Sequence, residues 1–196
     1  STCRGALVWF LRDLWPGAGW GLIDSAGTPK AALHQIRDVL QPRWLGITDE
    51  GLNGPRVHVG NETAAAVEGT LTVDLYRRGR HRILRAERAL RIDGRQTLAL
   101  PIAALLGEFH DLSHAYRFGP LGCDLVIASL RSGNGHAVLQ DVFLPDGRRF
   151  LEPDDSCLIH ARASALPNGE YALALNSSCF ARSVHVEAEG YACDAQ

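Results

Sequence analysis

The stretch GTLTVDLYRRG, residues 69–79, places Leu71, Val73 and Leu75 at alternate positions with Thr70, Thr72 and Asp74 beside them. Period 2 is the signature of a strand with one buried face. The alternation recurs on both sides: Val57 and Val59; Leu84 and Ala86, then Leu90 and Ile92; Leu98 and Leu100; Leu125 and Ile127; Val138, Gln140 and Val142. Turn-forming residues bound these runs, among them Asn53-Gly54-Pro55, Asp93-Gly94, Ser132-Gly133-Asn134-Gly135 and Asp146-Gly147. Short strands at this spacing over about 100 residues predict an immunoglobulin-like β-sandwich across residues 44–147. Val57, Val59, Leu71, Val73, Leu75, Leu98, Leu100, Leu125 and Ile127 are its expected inward set.

Upstream, the texture changes. Residues 1–43 hold Trp9, Trp15 and Trp20, three of the four tryptophans. GALVWFL, residues 5–11, is a continuous apolar run suited to a strand buried on both faces, as parallel strands are. A helix is predicted after it: Thr28 as cap, Pro29 in the first turn, Leu33, Ile36 and Leu40 at helical spacing, and Pro42 as stop. One β/α unit cannot cover its own strand, so this segment reads as the closing unit of an α/β barrel or sheet. With no methionine, and with Ser1-Thr2-Cys3-Arg4 leading straight into the apolar run, the chain reads as a piece of a longer polypeptide. Downstream, residues 148–196 predict a partial second sandwich. Its strands are expected at 157–165, 170–176 and 183–188, with an open sheet edge that meets a neighbour, a route to self-association.

Of 196 residues, 46% are hydrophobic and 21% charged, a balance that supports a substantial core. The longest apolar stretch, residues 98–106, is about half of the roughly 20 residues a membrane-spanning helix requires. A formal charge of -2 argues against a nucleic-acid partner, and neither a nucleic acid nor a membrane is expected. Lys30 is the only lysine among 20 basic residues, a bias that points to a GC-rich bacterial genome. Cys3, Cys123, Cys157, Cys179 and Cys193 form no C-x-x-C pair; their odd number fits reduced thiols and a cytoplasmic location. The eight histidines lack ligand spacing, so no metal and no cofactor is expected.

Other patterns favour structural readings. Gly17-Ala18-Gly19-Trp20-Gly21 mimics half of a dinucleotide fingerprint, but its third glycine is misplaced and it reads as a flexible loop. The basic run Arg77-Arg78-Gly79-Arg80-His81-Arg82 reads as a solvated hairpin turn. Asn61-Glu62-Thr63 and Asn176-Ser177-Ser178 match the glycosylation acceptor pattern, which has no meaning in a bacterial cytoplasm. Adjacent carboxylates at Asp49-Glu50 and Asp154-Asp155 read as solvated surface.

Residues 5–42 resemble the last strand, loop and helix of the catalytic barrel of family 2 glycoside hydrolases, most closely the bacterial β-mannosidase branch. WFLRDLWP, residues 9–16, carries the most specific part of the likeness, and Arg12 stands where asparagine is usual. TDEGLNGPRVHVGNET, GTLTVDLYRRG, LALP, AYRFGP and DLVIASLR are similar to the sandwich that follows the barrel. The resemblance implies three parts: residues 1–43 as the final β/α unit, 44–147 as a sandwich and 148–196 as a partial second one. Enzymes of this kind are retaining glycosidases with two catalytic glutamates on the fourth and seventh barrel strands. Those strands precede this chain, so no catalytic residue is expected here. By the same resemblance Trp9 is the aromatic platform for a sugar, and Asp13 and Trp15 either line the pocket or cap the strand end; Trp20 packs the loop. The implied function is a C-terminal accessory region of a β-mannosidase-like hydrolase, inactive alone. Its partners are the upstream barrel and a terminal β-mannoside. The alternative from another class is a free-standing sugar-binding or protein-interaction sandwich.

Overall fold

Strand β3 (Val67–Arg77) is the centre of the larger sheet. The computed structural model describes residues 7–116, 119–132, 138–145, 147, 157–182 and 184–191. Two compact units divide the chain, Pro42–Arg182 and Ser1–Gln41 with Ser183–Gln196.

In the first unit, β3 pairs antiparallel with β4 (His81–Ile92) on one side and with β6 (Leu125–Ser132) on the other, and β7 (Val138–Phe143) completes the order β4-β3-β6-β7. A second sheet has the order β1-β2-β5, from β1 (Arg43–Asp49), β2 (Pro55–Asn61) and β5 (Gln96–Pro101). Seven strands in two antiparallel sheets are the sandwich that the alternation predicts, and the described chain is mainly β. Val57, Val59, Leu71, Val73 and Leu75 are at most 1% exposed, and Leu98 and Leu100 pack against them. Burying aliphatic side chains of this size contributes about 1.5–3 kcal/mol each.

Strand β6 departs from the expected parity. Opposite Leu71, Val73 and Leu75 lie Leu130, Ala128 and Val126, and these three enter the core. Leu125 and Ile127 stand opposite Tyr76 and Asp74, on the other face of the sheet. A shift of one residue moves every side chain of a strand across the sheet. The run from Leu125 to Ala128 is apolar throughout, so composition alone does not choose its inward half. Leu125 is nevertheless buried on that face, where it lines one hollow with Tyr76 and Phe180.

Short links finish the sandwich. Helix α2 (Ile102–Leu106) sets Ile102 in the core. Asn61 is 1% exposed; its Nδ2 donates to the Ala65 carbonyl at 2.8 Å and its Oδ1 accepts from Thr63 Oγ1 at 2.6 Å. The acceptor asparagine of that glycosylation triplet is therefore buried and spent on its own turn. Asp141 on β7 accepts from the backbone N–H of Ile47 at 2.7 Å, so a side chain ties the edge strands of the two sheets.

The hairpin β8 (Ile159–Ala165) and β9 (Tyr171–Ser177) follows, with every side chain exposed. Cys157 and Cys179 close its open end as a disulfide, with Cα atoms 5.5 Å apart. This corrects the expectation of reduced thiols: two distant cysteines meet because antiparallel strands return the chain to its start. Cys123 is free and buried. No strand forms over residues 184–188, which corrects the third expected strand of this region. The connector at 151–156 and the turns at 133–137 and Asp146 lie outside the described residues.

In the second unit, helix α1 (Ala31–Val39) forms with Leu33 and Ile36 half-buried. It starts later than expected, and neither Thr28 nor any other side chain caps it. The Thr28 N–H donates instead to Asp24 Oδ1 at 2.7 Å, and Pro29 bridges to Ile23, which keeps the backbone extended up to Lys30. The buried strand expected over residues 5–11 is also corrected in its described part. Leu7, Trp9 and Leu11 are 101%, 75% and 62% exposed, and the described segment carries an isolated parallel bridge, Arg12 to Ile23, in place of a strand. A strand buried on both faces needs pairing neighbours and covering helices; no strand of the described residues pairs here.

Candidate functional site

The site residues named by the sequence lie in the loop after residue 9. Leu22 N–H donates to the Phe10 carbonyl at 3.2 Å, Ile23 N–H to Leu11 at 2.9 Å, and Asp13 N–H back to Ile23 at 3.0 Å. These bonds fold residues 14–21 into a projecting loop. Trp15 stands 74% exposed on it, and with Phe10, Asp13, Leu14 and Gly19 it lines a hollow of about 280 Å³.

Asp13 holds the loop from within. It is 5% exposed, its Oδ1 accepts from Gly21 N–H at 2.7 Å, and its Oδ2 accepts from Lys30 Nζ. Lys30 Nζ also donates to the Gly19 carbonyl at 3.1 Å. The glycines are required by this contact. A Cβ on Gly21 would lie 2.6 Å from the Asp13 backbone nitrogen, and one on Gly19 would strike the Asp13 carboxylate. The segment expected to be a flexible loop is thus shaped around one buried carboxylate.

The Lys30 hydrogen bond, and then the Gly21 N–H, hold the Asp13 carboxyl below its ordinary range. Asp24 is lowered too, first by the Thr28 backbone N–H. Both carboxylates of the loop are ionised acceptors. A glycosidic general acid needs the opposite, a raised pKa. Arg12, where asparagine is usual, donates from its guanidinium to the Ser25 carbonyl at 2.7 Å and so has a structural task.

The structure therefore brings Asp13 and Trp15 together on one hollow. Trp9 lies outside its lining, with the ring edge-on to Phe10 at 6.2 Å across a cis peptide bond. Trp20 is 76% exposed, which corrects its expected packing against the loop. Lys30, Gly19 and Gly21 were not among the predicted site residues. The available signal was the solitary lysine in an arginine-rich chain. No cluster of His, Cys, Asp and Glu that could hold a metal occurs among the described residues.

No family model matches the chain. Over 48 residues it is 40% identical to proteins named β-mannosidase B from Emericella nidulans, Aspergillus flavus and Aspergillus oryzae. The match takes in 24% of this chain and 6% of each fungal protein, so the chain spans a small part of the length of these relatives. Among solved structures, a β-D-mannosidase from Dictyoglomus thermophilum superposes on 87% of this chain and 20% of its own, with a TM-score of 0.66 at 15% identity. An exo-chitosanase from Amycolatopsis orientalis superposes on 86% of this chain and 22% of its own, with a TM-score of 0.52 at 17% identity. By sequence over a short stretch and by fold over most of its length, the chain resembles the C-terminal part of a family 2 glycoside hydrolase.

Proposed function

We propose that this chain is the C-terminal accessory region of a retaining β-mannosidase-like glycoside hydrolase, of bacterial origin. It supports the catalytic barrel, lends residues to the sugar pocket and has no activity alone. The observation that carries the reading is the loop of residues 9–21, where Trp15 presents an exposed indole on a hollow built on Asp13 and Trp9 presents a second exposed indole outside its lining. A flat indole suits the C–H face of a pyranose and buries it at low entropic cost. In this reading the exposed Leu7, Leu11 and Leu14 are the surface that the rest of the barrel covers, and the segment is the barrel's last β/α unit. The sandwich is the support, and the β8–β9 hairpin belongs to a second sandwich that associates through its open edge.

The lowered Asp13 and Asp24 carboxyls favour a role in loop architecture over proton donation. The test has two arms. The chain alone, assayed with aryl β-mannoside and aryl β-galactoside, is expected to match a buffer blank; turnover that survives repurification overturns the accessory role. In the full-length enzyme, Trp9→Ala is expected to depress kcat/KM by about tenfold or more, and Trp20→Ala far less. Equal effects would make Trp9 a packing residue only.

A further inference from the structure

The sandwich unit carries a second exposed aromatic platform, unrelated to the tryptophan loop. Phe109 and Tyr116 are 71% and 45% exposed, and their rings meet edge to face with centroids 5.6 Å apart at 76°. They flank a hollow of about 240 Å³ whose opposite wall is the turn carrying Asn53, Gly54 and Pro55. Two exposed rings held together on one mostly apolar hollow make a contiguous aromatic patch, the kind of surface that marks a ligand site.

The two walls are built. Asp111 accepts backbone N–H bonds from Ala115 at 2.9 Å and Tyr116 at 3.0 Å, which fixes the turn that presents the tyrosine. Leu112, between the rings in sequence, is 3% exposed and anchors that turn in the core. Ser113 Oγ donates to the Gly51 carbonyl at 3.0 Å and so binds this wall to the other one. Across the hollow, Gly54 N–H donates to the Gly51 carbonyl at 2.9 Å and Glu50 N–H to the Gly54 carbonyl at 3.3 Å. Gly54 adopts a φ of 71°, open to glycine and strained for other residues. The backbone that carries Tyr116 is therefore set before any ligand arrives, which lowers the entropic cost of binding.

The chemistry of the lining selects the ligand. Its ionisable groups are matched: the Asp111 carboxylate is taken by two backbone N–H groups, and His110 Nε2 lies 3.0 Å from Glu108 Oε1. Among the described lining residues, neither a strong anion nor a strong cation finds an unmatched counter-charge. What the hollow offers is aromatic surface on one wall, with the amide of Asn53 and the imidazole of His110 at the margin. A neutral ring with one C–H face and a rim of hydroxyls fits both.

We propose that the Phe109–Tyr116 cleft is a saccharide-binding site, taking one or two pyranose rings by stacking. It stands on the geometry of the sandwich unit and does not depend on the proposed role of Trp9 and Trp15.

The test is saturation-transfer NMR on this chain with β-1,4-mannobiose and with cellobiose, at about 10 mM against an affinity near ~1 mM for so small a contact. Transfer to the ring C–H protons of at least one disaccharide is expected. Phe109→Ala and Tyr116→Ala should each weaken it by about fivefold or more, Phe109→Tyr should retain it, and Tyr171→Ala, at an exposed ring of β9, should leave it unchanged. Both aromatic positions are exposed, so neither substitution touches the core. No transfer with either sugar overturns the proposal. So does transfer that is lost in Trp9→Ala and kept in Phe109→Ala, a result that would support the tryptophan-loop reading instead.

Discussion

Lys30 and Asp13 form an ion pair in which the carboxylate side chain is 4% exposed and the lysine side chain 31%. The lysine also holds the Gly19 carbonyl, so a single ammonium gathers both limbs of the projecting loop. Removing it leaves a buried carboxylate with one remaining donor, Gly21 N–H. Lys30→Met is expected to raise amide exchange at Gly21 by about tenfold or more, with the β3 and β6 amides unchanged. Unaltered exchange at Gly21 would mean that the loop is held by its backbone ladder alone.

The same carboxylate sets a pH dependence. Its folded pKa is depressed below the usual 3.8, first by Lys30 and then by the Gly21 N–H. A depressed carboxylate contributes stability that is fully present above its unfolded pKa and is lost as pH falls through the folded value. The emission of Trp15, on the wall of the hollow, is therefore expected to hold steady from neutral pH down to about 4 and to shift below it. Asp13→Asn should remove that acid step. A step centred above about pH 5 would point to another group.

The sandwich was legible because each of its sheets buries one face, and a half-buried strand writes its period into the sequence. Where a strand is apolar on both faces the period disappears, and residues 125–128 show the consequence: the inward side belongs to Val126 and Ala128. Thr28 had the chemistry of a helix cap, but Asp24 engages its backbone first. Lys30 and the glycines at 19 and 21 act through a buried contact across the loop, a distance that motif spacing does not encode. Phe109 and Tyr116 share no strand, so no period in the sequence pairs them; the Asp111 turn folds the loop that brings them together.

Parity in β6 can be measured directly. Leu130 is 3% exposed inside the core, whereas Ile127 is half-buried on the outer face. Leu130→Ala is expected to cost about 2–5 kcal/mol in chemical denaturation, and Ile127→Ala about 1 kcal/mol or less. The reverse order would restore the inward set containing Leu125 and Ile127.

Cys123 sits in the same core, and burial, with Asp124 adding to it, pushes its thiol up to about 11. Only the thiolate reacts quickly. At pH near 8 an aromatic disulfide reagent is therefore expected to leave Cys123 unmodified in the folded chain and to label it after unfolding. Fast labelling of the native chain at this cysteine, read by mass spectrometry, would show that the core opens there.

The β8–β9 hairpin depends on the bond that closes it. Its side chains are exposed on both faces, and an isolated two-stranded hairpin is marginal in water. Cys157 and Cys179, 22 residues apart, restrict the unfolded segment, which contributes roughly 3 kcal/mol in the chain-entropy account. A second tie is the Phe180 N–H bond to the Gly79 carbonyl at 2.9 Å, which joins the hairpin's exit to the β3–β4 turn. A single backbone bond at a half-exposed position cannot replace a covalent one. Reduction, or Cys179→Ser, is therefore expected to abolish the hydrogen-exchange protection of residues 159–165 and 171–177. The amides of β3 and β6 should keep theirs, because no sandwich strand pairs with the hairpin. Persistent hairpin protection after reduction would transfer the clamp to the Phe180 N–H, and Phe180→Pro, which lacks that donor, would then be the variant that releases it in the reduced chain.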